Sequence, residues 1–151
     1  LLTIVLEMKN IIPIASDHAG YILKEQLKPY LESKGYEIKD FGCYSEESVD
    51  YPDMIHPIAK AVSDGEFDFG FIMCGSGNGV SMVANKYQNV RCGLCWKAEL
   101  ASLAKQHNNA NIIALPARFI SFDEAKKIVD AYLSADFEGG RHERRVNKIR
   151  I

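Results

Sequence analysis

The chain has 151 residues, 47% of them apolar and 25% charged, with a formal net charge of -2 and a pI near 6.1. Such a composition fits a globular chain large enough to bury a core and most simply read as one domain. It argues against a dedicated nucleic-acid binder, which carries a basic excess, and no apolar run reaches the length of a membrane span. The four cysteines, Cys43, Cys74, Cys92 and Cys95, lie in a chain without the composition of a small secreted domain, so they are read as free thiols in a reducing, cytoplasmic setting.

Residues 1–7 are apolar, but too short and too poor in basic residues for a signal peptide. They are read as an upstream extension or expression remnant, outside a domain of residues 8–151. Residues 10–15 form an apolar run of strand length, followed by the polar loop Ser16-Asp17-His18-Ala19-Gly20. Leu23, Leu27, Tyr30 and Leu31 then recur at helical spacing, with Gly35 as the stop and Pro29 as an expected kink. Residues 36–41 alternate and read as a second strand. A Ser- and Glu-rich loop leads to Tyr51-Pro52, which opens a helix with Ile55, Ile58, Ala59 and Val62 on one face and Pro57 as an expected break. The third strand spans residues 68–73 and the fourth 90–96. A helix over 97–106 and the polar loop His107-Asn108-Asn109-Ala110 lead to a fifth strand over 111–115. Ser121-Phe122-Asp123-Glu124 is a capping box that starts another helix. Gly139-Gly140 breaks the chain before a charged terminal helix.

Strands alternating with helices mean α/β architecture: a five-stranded parallel sheet covered on both faces, a three-layer α/β/α Rossmann-like arrangement. Ligands bind such sheets outside the carboxyl ends of the strands. That rule gathers Asp17-His18, the stretch after the third strand, and Arg118 into one place. It does not place His107-Asn108, which precede the fifth strand, unless they project into a neighbouring subunit.

The third strand ends in Cys74-Gly75-Ser76-Gly77-Asn78-Gly79, with a short helix expected over 80–86. Glycines at alternate positions let a backbone approach a ligand closely, and a helix N-terminus presents unpaired N–H groups to an anion. Cys74 sits where a thiolate would be stabilised, and is read as a nucleophile or base beside an oxyanion hole. The loop is neither a dinucleotide fingerprint, since Val80 holds the last glycine position, nor a Walker loop. Cys92-Gly93-Leu94-Cys95 matches a redox or half-zinc spacing but lies in an apolar strand without a second pair, and is read as structural, as is Cys43. Arg141 and Arg145 lie four apart on one helix face, an arrangement suited to phosphate. These groups together suit proton abstraction beside a carbonyl of a phosphorylated small molecule, with no metal or cofactor required.

The chain resembles the ribose-5-phosphate isomerase B family, within a group that includes galactose-6-phosphate and allose-6-phosphate isomerases. The likeness rests on Ser16–Gly20, Asp50-Tyr51-Pro52, Cys74–Gly79, Ala84-Asn85-Lys86, His107–Asn111 and Glu138–Val146. It implies an aldose–ketose isomerase of the non-oxidative pentose phosphate pathway, working through a cis-enediolate. Cys74 would move the proton between carbons 1 and 2. Ser76 and the amides of Gly75, Gly77, Asn78 and Gly79 would hold the enediolate. His107, with Asp17 nearby, would open the furanose ring. Asn108 and Tyr51 would contact the sugar, and His18, Arg118, Arg141 and Arg145 the phosphate. The resemblance also implies a homo-oligomer, dimer or tetramer, with the site at a subunit boundary. Val80 stands near where one branch carries a glutamate base, so the chain goes with the cysteine type; Ser76 replaces a common threonine. The alternatives are a hexose-6-phosphate isomerase of the same group and a non-catalytic sugar-phosphate-binding module.

Overall fold

The computed structural model describes residues 10–151; the expectation for residues 1–7 lies outside them. Five strands, β1 (Ile11–Ser16), β2 (Glu37–Asp40), β3 (Gly70–Cys74), β4 (Cys92–Leu94) and β5 (Ile112–Pro116), form a sheet of order β2-β1-β3-β5-β4. Every adjacent pair is parallel. Among the described residues six α-helices accompany them: α1 (Tyr21–Ser33), α2 (Tyr51–Ser63), α3 (Asn78–Ala84), α4 (Ala98–Asn108), α5 (Phe122–Ser134) and α6 (Arg141–Asn147).

The sheet is buried because its residues are apolar on both faces. Phe71 and Met73 of β3 point into one cluster with Leu23, Leu27 and Leu31 of α1, Ala101 and Ala104 of α4, and Ile128 and Val129 of α5. Ile72 and Cys74 point the other way, onto Ile55, Ile58 and Ala59 of α2 and Val80 and Ala84 of α3. Period-two alternation thus divides one strand between two cores, and each fully buried large side chain contributes roughly 1.5–3 kcal/mol. Cys92 and Cys95 fall on opposite faces by the same alternation. Burial pushes both thiols up to about 12, so they are protonated, and neither a disulfide nor a shared metal suits them.

Neither proline interrupts its helix: α1 runs through Pro29 and α2 through Pro57. Both prolines are exposed, so the carbonyl each leaves unpaired one turn earlier is on the water side. The edge strands are shorter than the sequence pattern suggests. β4 pairs only Cys92, Gly93 and Leu94 with β5, and β2 only Glu37 to Asp40 with β1. The capping box forms as expected, with Ser121 Oγ accepting from the Glu124 N–H and Glu124 Oε1 from the Ser121 N–H, both at 3.1 Å.

The strand order sets the site. From β1 the chain passes through α1 to β2, on one side; from β3 it passes through α3 towards β4, on the other. The loops after β1 and β3 therefore diverge, and a crevice opens between them at the carboxyl end of the sheet.

Candidate active site

Cys74 closes β3 at the mouth of that crevice and is 6% exposed. Its Sγ accepts a hydrogen bond from the Gly77 N–H at 3.2 Å. The loop can fold back on the sulfur only because Gly77 takes φ 77°. A Cβ there would also run into Leu94 Cδ1, so the positive φ requires glycine and the crowding adds to the preference. Ser76 is exposed, and its Oγ accepts from the Asn78 N–H at 3.2 Å. Gly79 and Val80, in the first turn of α3, have no carbonyl one turn back to bond, so their N–H groups are available to an anion. The helix thus starts at Asn78, earlier than its apolar pattern indicates.

Other groups surround this loop. Tyr51, at the start of α2, lays its ring on Gly79: a Cβ there would sit 2.6 Å from Tyr51 Cε1. Arg118 donates its N–H to the Gly75 carbonyl at 3.0 Å, and its side chain lies against Gly75. Across the crevice, Asp17 caps the short turn His18–Gly20, its Oδ1 accepting from the Gly20 N–H at 3.1 Å. Its own N–H donates to the Met73 carbonyl at 3.3 Å, which fixes β1's exit loop to the end of β3. His18 Nδ1 accepts from the Val49 N–H at 3.2 Å, leaving Nε2 as the ring's free donor. A cavity of about 450 Å³ borders the loop on its β4 side, lined by Ser76, Asn78, Leu94, Trp96 and Phe119 among others.

His107, Asn108, Arg141 and Arg145 are elsewhere. α4 runs antiparallel to the strands, so its last residues, His107 and Asn108, lie at the amino end of the sheet, where β5 begins. Gly70 and Cys74 mark the two ends of β3, four residues and therefore roughly 13 Å apart. Within one chain, His107 is thus not near Asp17 or Cys74. The segment leading into α6 joins the second group: the Glu138 N–H donates to the Gln106 carbonyl at 3.0 Å. The imidazoles of His107 and His142 stack, with centroids 4.2 Å apart and planes 9° apart. Burial, then the neighbouring His107 and the Arg141 guanidinium, hold His142 below the usual imidazole value, so its ring is neutral at neutral pH. Arg141 and Arg145 are exposed on α6.

Three residues of this second cluster are given no role by sequence reasoning. His142 and Glu138 are hidden in a charge run and behind a Gly-Gly break. Arg91 has no local signal at all, yet its guanidinium fastens the end of α4. Nε and Nη2 donate to the Asn109 carbonyl at 3.0 and 2.8 Å, and Nε also reaches that of Asn108 at 3.2 Å. It satisfies carbonyls the helix leaves unpaired and complements the negative end of its dipole. A cavity of about 1000 Å³ is at this end too, bounded by Arg91, Asn108, Val146 and residues 149–151.

A family profile described as Ribose/Galactose Isomerase matches residues 12–149. The chain belongs to this family. It is similar to ribose-5-phosphate isomerase B of Escherichia coli, with 42% identity over 138 residues, 91% of this chain and 93% of that one. The structure of a ribose 5-phosphate isomerase from Thermotoga maritima superposes with a TM-score of 0.90 at 51% identity, covering 93% of this chain and 97% of that one. Ribose-5-phosphate isomerase B of Mycoplasma genitalium, solved with bound ribulose-5-phosphate, gives a TM-score of 0.88 at 42% identity, over 92% and 93% of the two chains. The α/β fold with its all-parallel sheet matches these structures. Among the described residues no helix is long and apolar enough to cross a membrane.

Proposed function

We infer that this chain is an aldose–ketose isomerase that interconverts ribose 5-phosphate and ribulose 5-phosphate, with residues 8–151 as its one domain. The observation that carries the reading is the Cys74 thiol at the carboxyl end of β3, held by the Gly77 N–H within a loop of amides, in a chain of the ribose/galactose isomerase family. Relatives in that family bear the name ribose-5-phosphate isomerase B, which favours the pentose over a hexose phosphate.

The chemistry follows from the groups at that end. In the open-chain aldose, Cys74 as thiolate removes the proton on carbon 2, and electron density moves through the new carbon–carbon double bond onto the carbonyl oxygen. The Ser76 hydroxyl and the first amides of α3 stand where they can meet that developing charge, a term that commonly dominates such reactions. Cys74 returns the proton at carbon 1, while the hydroxyl proton on carbon 2 passes to the oxygen of carbon 1; atoms and charge balance without an external reagent. Tyr51 lies over the loop to contact the sugar, and His18 and Arg118 supply donors for the phosphate.

Ring opening needs an acid–base group, and the phosphate needs a stronger clamp. His107 with Asn108, and Arg141 with Arg145, suit these roles, but they sit at the other end of the chain. The reading therefore requires two copies, each lending its His107 and arginine cluster to its partner's Cys74, with Asp17 beside the incoming His107. A two-fold dimer makes two such sites at once.

The test is isomerisation of ribose 5-phosphate with chelator present, allose 6-phosphate alongside, and Cys74→Ala as control. Pentose turnover that disappears in the variant, with binding of a phosphate inhibitor retained, is the expected result. Full turnover by Cys74→Ala would remove the thiol from the mechanism. Preference for allose 6-phosphate would move the chain to the hexose branch.

A further inference from the structure

We propose that Arg91 is a positioning residue for ring opening, its guanidinium fixing the stretch His107-Asn108-Asn109 that serves the partner's Cys74. The inference rests on the role given to His107 above. Arg91 precedes β4 and is locked to Asn111, which precedes β5. Its N–H donates to Asn111 Oδ1 at 2.8 Å, and its carbonyl accepts from the Asn111 N–H at 3.0 Å. From that base the half-buried side chain reaches the end of α4, where Nε and Nη2 grip the Asn108 and Asn109 carbonyls. Two other tethers hold the backbone on either side. The Glu138 N–H holds the Gln106 carbonyl at 3.0 Å, and the Tyr132 hydroxyl holds that of Ala110 at 2.6 Å. Arg91 holds the carbonyls between those two points. Stacking on His142 turns the His107 ring, but where the ring sits depends on the backbone that carries it.

The electrostatics single this arginine out. Burial first, and then the neighbouring Arg150, lower its pKa, yet a guanidinium remains charged at neutral pH. Among the described residues no carboxylate pairs with it; its side-chain bonds go to carbonyls. Taking a cation part-way out of water without a counter-ion costs free energy, and such breaches of local rules concentrate at functional sites. What answers the charge is the carbonyl end of α4, whose last groups lack helical partners and carry partial negative charge. A planar fork of donors suits two successive carbonyls, whereas a lysine ammonium is a single point. Arg91 and Asn108 both border the cavity of about 1000 Å³, so water can replace the guanidinium at these carbonyls when it is removed. An Arg91 variant therefore keeps its fold and loses the placement of His107.

Ring opening can be read apart from proton transfer. Ribose 5-phosphate closes a furanose ring through its 4-hydroxyl. Ribulose 5-phosphate stays open, because its 5-oxygen carries the phosphate. Exchange of its carbon-1 hydrogen with D₂O, followed by proton NMR, therefore reports the chemistry at Cys74 without ring opening. The experiment compares this exchange with turnover of ribose 5-phosphate in wild type, His107→Ala, Arg91→Ala and Arg91→Lys, with circular dichroism to check the fold. Both rates are taken at saturating substrate, since Asn108 contributes to KM in both. Arg91→Ala should lose roughly 100-fold in ribose 5-phosphate turnover, the effect of a misplacement of about 1 Å, with exchange nearly unchanged. Arg91→Lys, which keeps the charge but not the fork, should show a smaller loss of the same selective kind. An equal fall in both rates of Arg91→Ala, or undiminished turnover, while His107→Ala stays selective, would overturn the inference alone. Arg91→Lys decides by the same comparison if Arg91→Ala fails to fold. Wild type without ribose 5-phosphate turnover, or a His107→Ala whose two rates fall together, would instead overturn the reading on which the inference rests.

Discussion

Gly77→Ala probes the device that holds the proposed base. The new methyl group runs into Leu94 Cδ1, and the backbone at φ 77° is one that alanine resists. The left-handed conformation costs roughly 1–2 kcal/mol and overpacking roughly 1–3 kcal/mol, so the variant should lose about 2–5 kcal/mol of stability. Leu94 sits on a short edge strand, so part of the clash can be relieved by truncating it. In a double-mutant cycle with Leu94→Ala, the pair should be less destabilised than the sum of the singles by roughly 1–3 kcal/mol, the overpacking share alone. Activity responds separately. If the loop shifts and the Gly77 N–H leaves Cys74, a hydrogen bond to a charged sulfur worth roughly 1.5–3 kcal/mol is lost, about 10- to 150-fold in rate. Urea unfolding at one fixed protein concentration and steady-state kinetics give both quantities. Strict additivity in the cycle would refute the clash, and a stable variant with wild-type kcat would refute the role of the amide.

Arg141→Ala should raise KM for the sugar phosphate with little change in kcat, lowering kcat/KM by about 10- to 150-fold for a charge-assisted phosphate contact; an effect confined to kcat would contradict the clamp. Lys24 is fully buried and donates to Asp40 at 2.6 Å, while Lys28 donates to the same oxygen at 2.9 Å. Burial pushes the Asp40 carboxyl up, but its bonds to Lys24, Lys28 and the Gly42 N–H outweigh this and leave it below the ordinary value. A lowered carboxylate stabilises the fold above its unfolded pKa of about 3.9 and loses that contribution as pH falls through the folded value. Lys24→Met should therefore cost roughly 3 kcal/mol at pH 7, the low end for breaking a buried pair because Lys28 remains. Urea midpoints measured down to pH 3 should show the gap to wild type closing; a pH-independent gap would mean that packing, not charge, is lost.

What the sequence made legible was whatever repeats locally. Apolar or alternating runs and their helical partners mark every strand, and the sheet rule brings Asp17, His18, Cys74 and Arg118 to one end. The Ser121 capping box is visible because all its partners lie within four residues. Helix continuity at Pro29 and Pro57 was not legible, since it depends on which face of each helix meets water. Nor was the contact of Arg91 with α4 or the stacking of His107 on His142, because each joins residues brought together only by the fold. The misfit of His107-Asn108 with the sheet rule was legible, and it marks the feature that most shapes the function.

Because each chain carries the two halves of the proposed site at opposite ends of its sheet, two defects on different chains need not be equivalent to two defects on one. Consider a chain with Cys74→Ala and another with both His107→Ala and Arg141→Ala, each inactive alone. Unfolded together and refolded, they would pair at random, and half of the dimers would be mixed. In a mixed dimer one site inherits every lesion and the other none. About a quarter of the wild-type sites should then reappear from two dead preparations, as two-fold symmetry dictates. The same arithmetic governs inheritance: in a cell carrying both alleles, each would rescue the other, and genetic dominance would follow from which end of the sheet a mutation strikes.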